Sequence, residues 1–260
     1  FAPEAYSISG DGRHVVFTSP GAHPTLGDTN FNADIYLRDL GSGTTELISA
    51  GYAGPVLSSG AQQPTISDDG RYVAFLGIGN EFALLQAGLS ALARHAYVRD
   101  RVAGATFLIS RSTPVWTNSD QVQDVQISGD GSHVAFLTFH GTTGSGTYMH
   151  VYEVATQTTR NYGQVSLAGL FAELPTFSMN RAGTKIALGT TYDGLVPGDL
   201  DGTADVFLLD VTTGLLEQVN TTTQGATVLA SCRRPSLSPD GRYVTFESLS
   251  AELPAGPPPT

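Results

Sequence analysis

Residues 7–17 read SISGDGRHVVF: a short apolar run, a tight turn and a second apolar run. Asp can hydrogen-bond its neighbouring backbone and Gly supplies the positive φ of a tight turn, so the phrase describes a β-hairpin. It returns as TISDDGRYVAF at 65–75, QISGDGSHVAF at 126–136, TFSMNRAGTKIAL at 176–188 and SLSPDGRYVTF at 236–246. The turn glycines Gly12, Gly70, Gly131, Gly183 and Gly241 recur at spacings of 58, 61, 52 and 58 residues. Aligned on Phe177-Ser178, the fourth copy is predicted to carry a turn two residues longer than the rest.

Four of the five hairpins lead into a third strand (DIYLRDL, AYVRDR, HVYEV, DVFLLDV) and a fourth (TTELIS, ATFLIS, TTRNYG, LLEQVN). The second strands, HVVF, YVAF, HVAF, KIAL and YVTF, are apolar on both faces, as strands covered from both sides are. Four short strands cannot bury both faces alone, but copies stacked around an axis can. The predicted fold is all-β: a single-domain β-propeller of about five four-stranded blades, the last incomplete, over units near 1–49, 50–110, 111–165, 166–222 and 223–260. A β-sandwich would not explain why one hairpin returns at blade-like intervals. The fifth unit runs into ELPAGPPPT, and Pro cannot donate a ladder hydrogen bond. A native chain longer than 260 residues is therefore expected, with closure by a two-strand blade or pairing of two copies as alternatives. The first residue is Phe1, as in an exported, processed protein or a cut fragment.

The phrase S-x-D-G-[RK]-x-[VI]-x-F resembles the repeat of bacterial TolB-type, WD-like propellers, as does the fuller SLSPDGRYVTFES at 236–248. GLVPGDLDGTADVFLLD at 194–210 and HPTLGDTNFNADIYLRD at 23–39 are similar to the acidic loop that follows the hairpin in many relatives. The resemblance covers almost the whole chain and implies the propeller fold. With it goes the expectation of a non-enzymatic module, periplasmic or extracellular, that presents loops to a protein, peptide or glycan. The rival is an enzyme: the propeller of a peptidase, or a lyase or hydrolase working in the central channel.

Charged residues are 14 per cent of the chain, the net charge is −11 and Lys185 is the only lysine. Such an acidic surface repels phosphate, which argues against a nucleic-acid partner. No apolar run approaches the 18 residues or so of a membrane helix, so no membrane insertion is expected. Cys232 is the only cysteine and reads as a small buried hydrophobe.

Two loops carry oxygen-bearing side chains at alternate positions: Asp28, Asn30, Asn32 and Asp34, and again Asp199, Asp201, Thr203 and Asp205. Calcium takes six to eight oxygens, and this spacing can wrap one ion in each loop. Neither loop has the closing glutamate of an EF-hand, and a polar loop tied by Asx-turns is the alternative. Asp39, Asp100 and Asp210 end third strands and are expected to accept backbone hydrogen bonds in the next turn. His14 and His133 share a strand position with Tyr72 and Tyr243, while His140 and His150 stand across a hairpin without a third zinc ligand. Neither G-x-S-x-G nor H-E-x-x-H occurs. Trp116, Tyr148, Tyr162, Phe171 and Tyr192 are core residues or stacking surfaces for a sugar or peptide. The long loops at 19–33, 50–63, 76–95, 111–124 and 190–204 are predicted to share one face, the expected partner surface. That at 76–95 departs from the acidic pattern and is apolar, with Phe82, Leu84, Leu85, Leu89 and Leu92 as anchors.

Overall fold

In the first copy of the hairpin, the Ser9 N–H donates to the His14 carbonyl and the Gly12 N–H to the Ser9 carbonyl, both at 2.9 Å. Gly12 has φ +70°. The Ser9 hydroxyl donates to Asp11 Oδ1 at 2.5 Å and accepts from the His14 N–H at 2.9 Å, while the Arg13 N–H donates to the same carboxylate oxygen. Ser67, Ser128 and Ser238 repeat the arrangement with Asp69, Asp130 and Asp240. In the fourth copy Asn180 replaces the serine: its Oδ1 accepts the Lys185 N–H at 2.9 Å, and its carbonyl accepts the Gly183 N–H at 3.0 Å. That turn therefore has the same length as the others. The expected two-residue extension is wrong, because an amide oxygen does the work of the hydroxyl and Met179-Asn180 aligns with Ile8-Ser9.

This computed structural model describes residues 5–50, 60–78, 93–110, 121–141, 145–167, 175–197, 199–222, 224–226, 228–250 and 253. The chain divides into two compact units, Phe1–Gly163 and Gln164–Thr260. The first unit builds three antiparallel sheets, each with strands in chain order: β1 Tyr6–Ile8, β2 His14–Pro20, β3 Ala33–Asp39 and β4 Thr44–Leu47; β5 Ala61–Ile66, β6 Tyr72–Ile78, β7 Arg94–Asp100 and β8 Ala105–Leu108; β9 Gln121–Ile127, β10 His133–His140, β11 Gly146–Glu153 and β12 Thr158–Leu167. The last of these strands runs across the division. In the second unit are β13 Thr176–Met179, β14 Lys185–Thr190, β15 Asp205–Asp210 and β16 Leu216–Gln218, then a two-stranded sheet of β17 Cys232–Leu237 and β18 Val244–Ser248. The strands predicted from the repeat are those observed, blade by blade.

In the first unit, apolar side chains of successive sheets pack together. Val16, Ile35 and Leu37 meet Val73, Phe75 and Tyr97, and Leu76 and Val98 meet Val125, Val134 and Phe136. The expectation that second strands are covered on both faces holds for β6 and β14, whose central residues are buried throughout. It does not hold for β18, where half-buried and exposed residues alternate. Among the described residues no third strand pairs with it. The apolar anchors at Phe82–Leu92 lie outside the described residues, as do Trp116 and Phe171. Of the segment 76–95, Leu76–Ile78 belong to β6 and Arg94–His95 to β7.

Successive hairpins also meet through their turns. A Cβ on Gly131 would lie 2.7 Å from the Tyr72 ring, and one on Gly241 would lie 3.0 Å from Asn180 and 3.2 Å from Lys185. A Cβ on Gly70 would run into the His14 ring. His14 and Tyr72, each the first residue of its second strand, thus fill the space that the next turn glycine leaves open, which is why they share a position.

Arginines of the repeat clamp the third strand. Arg13 pairs with Asp39 through two nitrogens at 2.8 and 2.7 Å, and Arg71 with Asp100 at 3.1 and 2.7 Å. As expected, the aspartates cap the following turns, Asp100 accepting the Val102 and Ala103 N–H groups and Asp210 that of Thr213. The Arg71 guanidinium and then these N–H groups hold Asp100 below its ordinary value of 3.8. A depressed carboxylate stabilises fully above its ordinary value and ceases to as pH falls through its folded one. Asp100→Asn should therefore cost about 1 kcal/mol at neutral pH, Arg71 being part-exposed, and the difference should close in acid denaturation series.

Candidate metal centre

The two acidic loops occupy the same place in their blades, between second and third strands. Asp34 sits opposite Ser19 and Asp205 opposite Thr190 in the antiparallel register. At both stations the carboxylate is tied to the end of the fourth strand. The Ser49 hydroxyl donates to Asp34 Oδ1 at 2.6 Å and accepts the Ile35 N–H at 3.0 Å. Asn220 does both jobs in the second unit, donating to Asp205 Oδ1 and accepting the Val206 N–H at 2.9 Å, and Gln218 adds a bond to Asp205 Oδ1 at 3.0 Å. His95 holds the equivalent station in the second blade, 3.4 Å from the Ser110 hydroxyl.

Beyond that shared frame the loops differ. In the first, Asp28 Oδ1 accepts the Asn30 N–H at 3.0 Å, and Asp28 Oδ2 accepts the His23 N–H at 3.1 Å and the Tyr36 hydroxyl at 2.5 Å. Asn30 Nδ2 donates to Asp34 Oδ2 at 2.8 Å, and Asn30 Oδ1 accepts the Asn32 N–H at 2.5 Å. All four carboxylate oxygens of this loop thus have protein donors, and Asn32 is exposed. Burial raises Asp34, partly offset by Ser49 and Asn30. The phenol of Tyr36 is held protonated by burial and by Asp28.

In the second loop Asp201 stands where the first has Asn30, and Phe207 where it has Tyr36. Both replacements remove a donor. Asp199 and Asp205 are 2 and 1 per cent exposed. Asp199 Oδ1, Asp201 Oδ2, Thr203 Oγ1 and Asp205 Oδ2 are buried with no hydrogen-bond partner. Asp201 Oδ1 accepts the Thr203 N–H at 2.8 Å, and Asp193 is brought in from outside the spaced motif by the Gly202 N–H, which it accepts at 3.1 Å. Ligand oxygens of Asp193, Asp199 and Asp201 lie within 4.8 Å of one another. Burial first, then Asp205, Asp193 and Asp201, push Asp199 up to about 6, and burial raises Asp205. A proton on Asp199 can be shared with Asp205, but when both carboxylates are ionised neither supplies a donor.

This cluster offers only hard oxygen donors, the chemistry of calcium or magnesium rather than zinc. The other candidates resolve differently. Thr138 Oγ1 lies 2.8 Å from His150 Nε2 and 3.2 Å from His140 Nε2, so the two histidines meet through a threonine. His140 packs edge-on against Tyr148, and Tyr162 lies beneath the Arg160 guanidinium. Tyr192 is half-buried, its N–H bonded to Thr190. Cys232 is fully buried, 3.2 Å from the Ser248 hydroxyl, and burial pushes its thiol up. A thiol held protonated is a poor nucleophile.

Beside the second loop a cavity of about 310 Å³ opens among strand ends of the second unit. Thr176, Thr190, Thr191, Arg233, Arg234 and Glu247 supply its polar wall, and Ala204, between Thr203 and Asp205, also lines it.

No protein-family model and no curated protein matches the chain. Among solved structures it is similar to dipeptidyl peptidase 4 of Porphyromonas gingivalis, at 13% identity and a TM-score of 0.60, over 94% of this chain and 35% of that one. The β-propeller domain of the Trilobed protease of Pyrococcus furiosus matches at 13% identity and TM-score 0.53, over 95% and 78% of the two chains. TolB of Acinetobacter baumannii aligns at 18% identity and TM-score 0.48, over 92% and 47%. The chain thus spans less than half of that TolB and about a third of the dipeptidyl peptidase. No helix among the described residues is long and apolar enough to cross a membrane. The two peptidase likenesses, together with the recurrent four-stranded antiparallel sheets, establish that this chain has a β-propeller fold.

Proposed function

We propose that this chain is a non-enzymatic interaction module, exported to the periplasm or cell exterior, that presents strand-end loops to a protein, peptide or glycan. The cavity of the second unit carries this reading. Its wall combines hydroxyls, two neighbouring guanidiniums and a carboxylate, all at the ends of paired strands. Rigid strand ends hold such groups in place without an ordering cost on binding. The chemistry suits hydrogen bonding to a polar main chain or to sugar hydroxyls. The nucleophile on the wall, Cys232, is held as a thiol.

Screening immobilised chain against peptide and glycan arrays, followed by titration of the hits, tests the proposal. Saturable binding should fall at least tenfold in Arg233→Ala/Arg234→Ala, since a charge-assisted hydrogen bond contributes roughly 1.5–3 kcal/mol. Multiple-turnover cleavage of any hit by the purified chain would sink it. The likeness to peptidase propellers favours a second reading, the propeller of a peptidase. In that case the hits would be peptides alone and would be cut only when a catalytic domain is added.

A further inference from the structure

We propose that the loop Asp199–Asp205, with Asp193, is a calcium site, and that its counterpart Asp28–Asp34 is not, so that each chain binds one ion. This inference stands apart from the module reading and survives its failure. It rests on comparing one station in two copies of the same blade. In the first copy, the side chains of Asn30 and Tyr36 supply protons to the buried carboxylates of Asp34 and Asp28. In the second, Asp201 and Phe207 can supply none, four oxygens of the loop are buried without a donor, and Asp193, Asp199 and Asp201 bring theirs close together.

Two of those oxygens, Asp199 Oδ1 and Asp205 Oδ2, belong to side chains at least nine-tenths buried. Buried carboxylates without donors or counter-charge are strongly unfavourable. Water could donate hydrogen bonds here, but it would leave the mutual repulsion of Asp193, Asp199, Asp201 and Asp205 in place. A divalent cation removes both costs. Two oxygens on opposite sides of one calcium ion are separated by about 4.8 Å, twice the usual bond length of about 2.4 Å. The oxygens of Asp193, Asp199 and Asp201 lie within that distance of one another, close enough for one ion to touch all three. Magnesium sheds water reluctantly and is usually held by one or two carboxylates, so a site built from several protein oxygens suits calcium better. With Asp199, Asp201, Thr203, Asp205 and Asp193, the site has five side-chain donors, and water or backbone carbonyls can complete the shell.

The test uses the full chain stripped with chelator and titrated calorimetrically with calcium chloride. One site per chain is expected, with weaker binding of magnesium. Thermal denaturation should show a midpoint about 5–10 °C higher at calcium a hundredfold above the dissociation constant than in chelator. Asn32→Ala in the first loop should leave the stoichiometry at one, and Asp201→Asn should lower affinity at least a hundredfold. The double variant Asp201→Asn/Phe207→Tyr rebuilds the donors of the first loop. It should therefore melt in chelator above the wild type in chelator and show no shift with calcium, a gain that damage to the fold cannot mimic. Wild-type stoichiometry of zero overturns the site. A stoichiometry of two, or loss of binding in Asn32→Ala, overturns its restriction to the second loop.

Discussion

Gly131→Ala should destabilise the protein by about 2–4 kcal/mol, while Gly12→Ala should cost only about 1 kcal/mol. Both residues are turn glycines of the same phrase, with φ of +73° and +70°. Both substitutions therefore incur the left-handed backbone penalty of an L-residue, partly offset by a stiffer unfolded chain. They differ in what the new methyl meets. At Gly12 no heavy atom lies within 4 Å, whereas at Gly131 the Tyr72 ring lies at 2.7 Å and Ser67 Cβ at 3.4 Å. Tyr72 cannot yield easily: it packs against the apolar core between the second and third sheets, with the Arg71 guanidinium 4.7 Å from its ring centre. Overpacking of this kind costs about 1–3 kcal/mol beyond the backbone term. Denaturant midpoints of the two variants make the comparison. Equal losses would mean that the repeat conserves its glycine for the turn alone, with no role in blade-to-blade packing.

The second large effect concerns pH. His150 is 1 per cent exposed, stacks on Phe136 at 5.1 Å and hydrogen-bonds with Thr138. It occupies the station of Tyr36, Tyr97 and Phe207, opposite the aromatic or leucine of the second strand. Burial, and to a lesser degree His140, lowers it from the ordinary 6.5 to about 4. The folded state therefore resists a proton that the unfolded state accepts readily. Stability is complete above 6.5 and declines as pH falls from there toward about 4, by about 3 kcal/mol in all. His150→Phe keeps the ring stack and removes the titration, and Thr138 retains His140. Its stability should be nearly flat over that interval, apart from carboxylate effects at the acid end. If the wild-type slope persists in this variant, the acid sensitivity lies elsewhere.

The repeat was legible because its turn chemistry is local. Ser, Asp and Gly within five residues determine the hairpin, and no distant partner is needed to recognise it. Asn180 escaped that reading because its amide oxygen replaces a hydroxyl under a different letter. The packing of Tyr72 on Gly131 escaped it for another reason, since a contact across 59 residues leaves no local mark. Alternate spacing picked out both acidic loops, but spacing does not say which oxygens already have donors. The distinction was nevertheless written in the chain, as Asn30 against Asp201 and Tyr36 against Phe207, and becomes readable once the blades are superposed. Asp193 carries no such mark: it precedes the spaced motif and joins the cluster through the Gly202 N–H.

Two copies of one blade station differ in that one is satisfied by protein donors while the other leaves buried oxygens without any, and the proposed calcium site follows from that difference. Anomalous diffraction from crystals grown with calcium tests it most directly. The expected map has one peak, bounded by Asp193, Asp199, Asp201, Thr203 and Asp205, and none beside Asp28 and Asp34. A peak in the first loop, or none in the second, would contradict it.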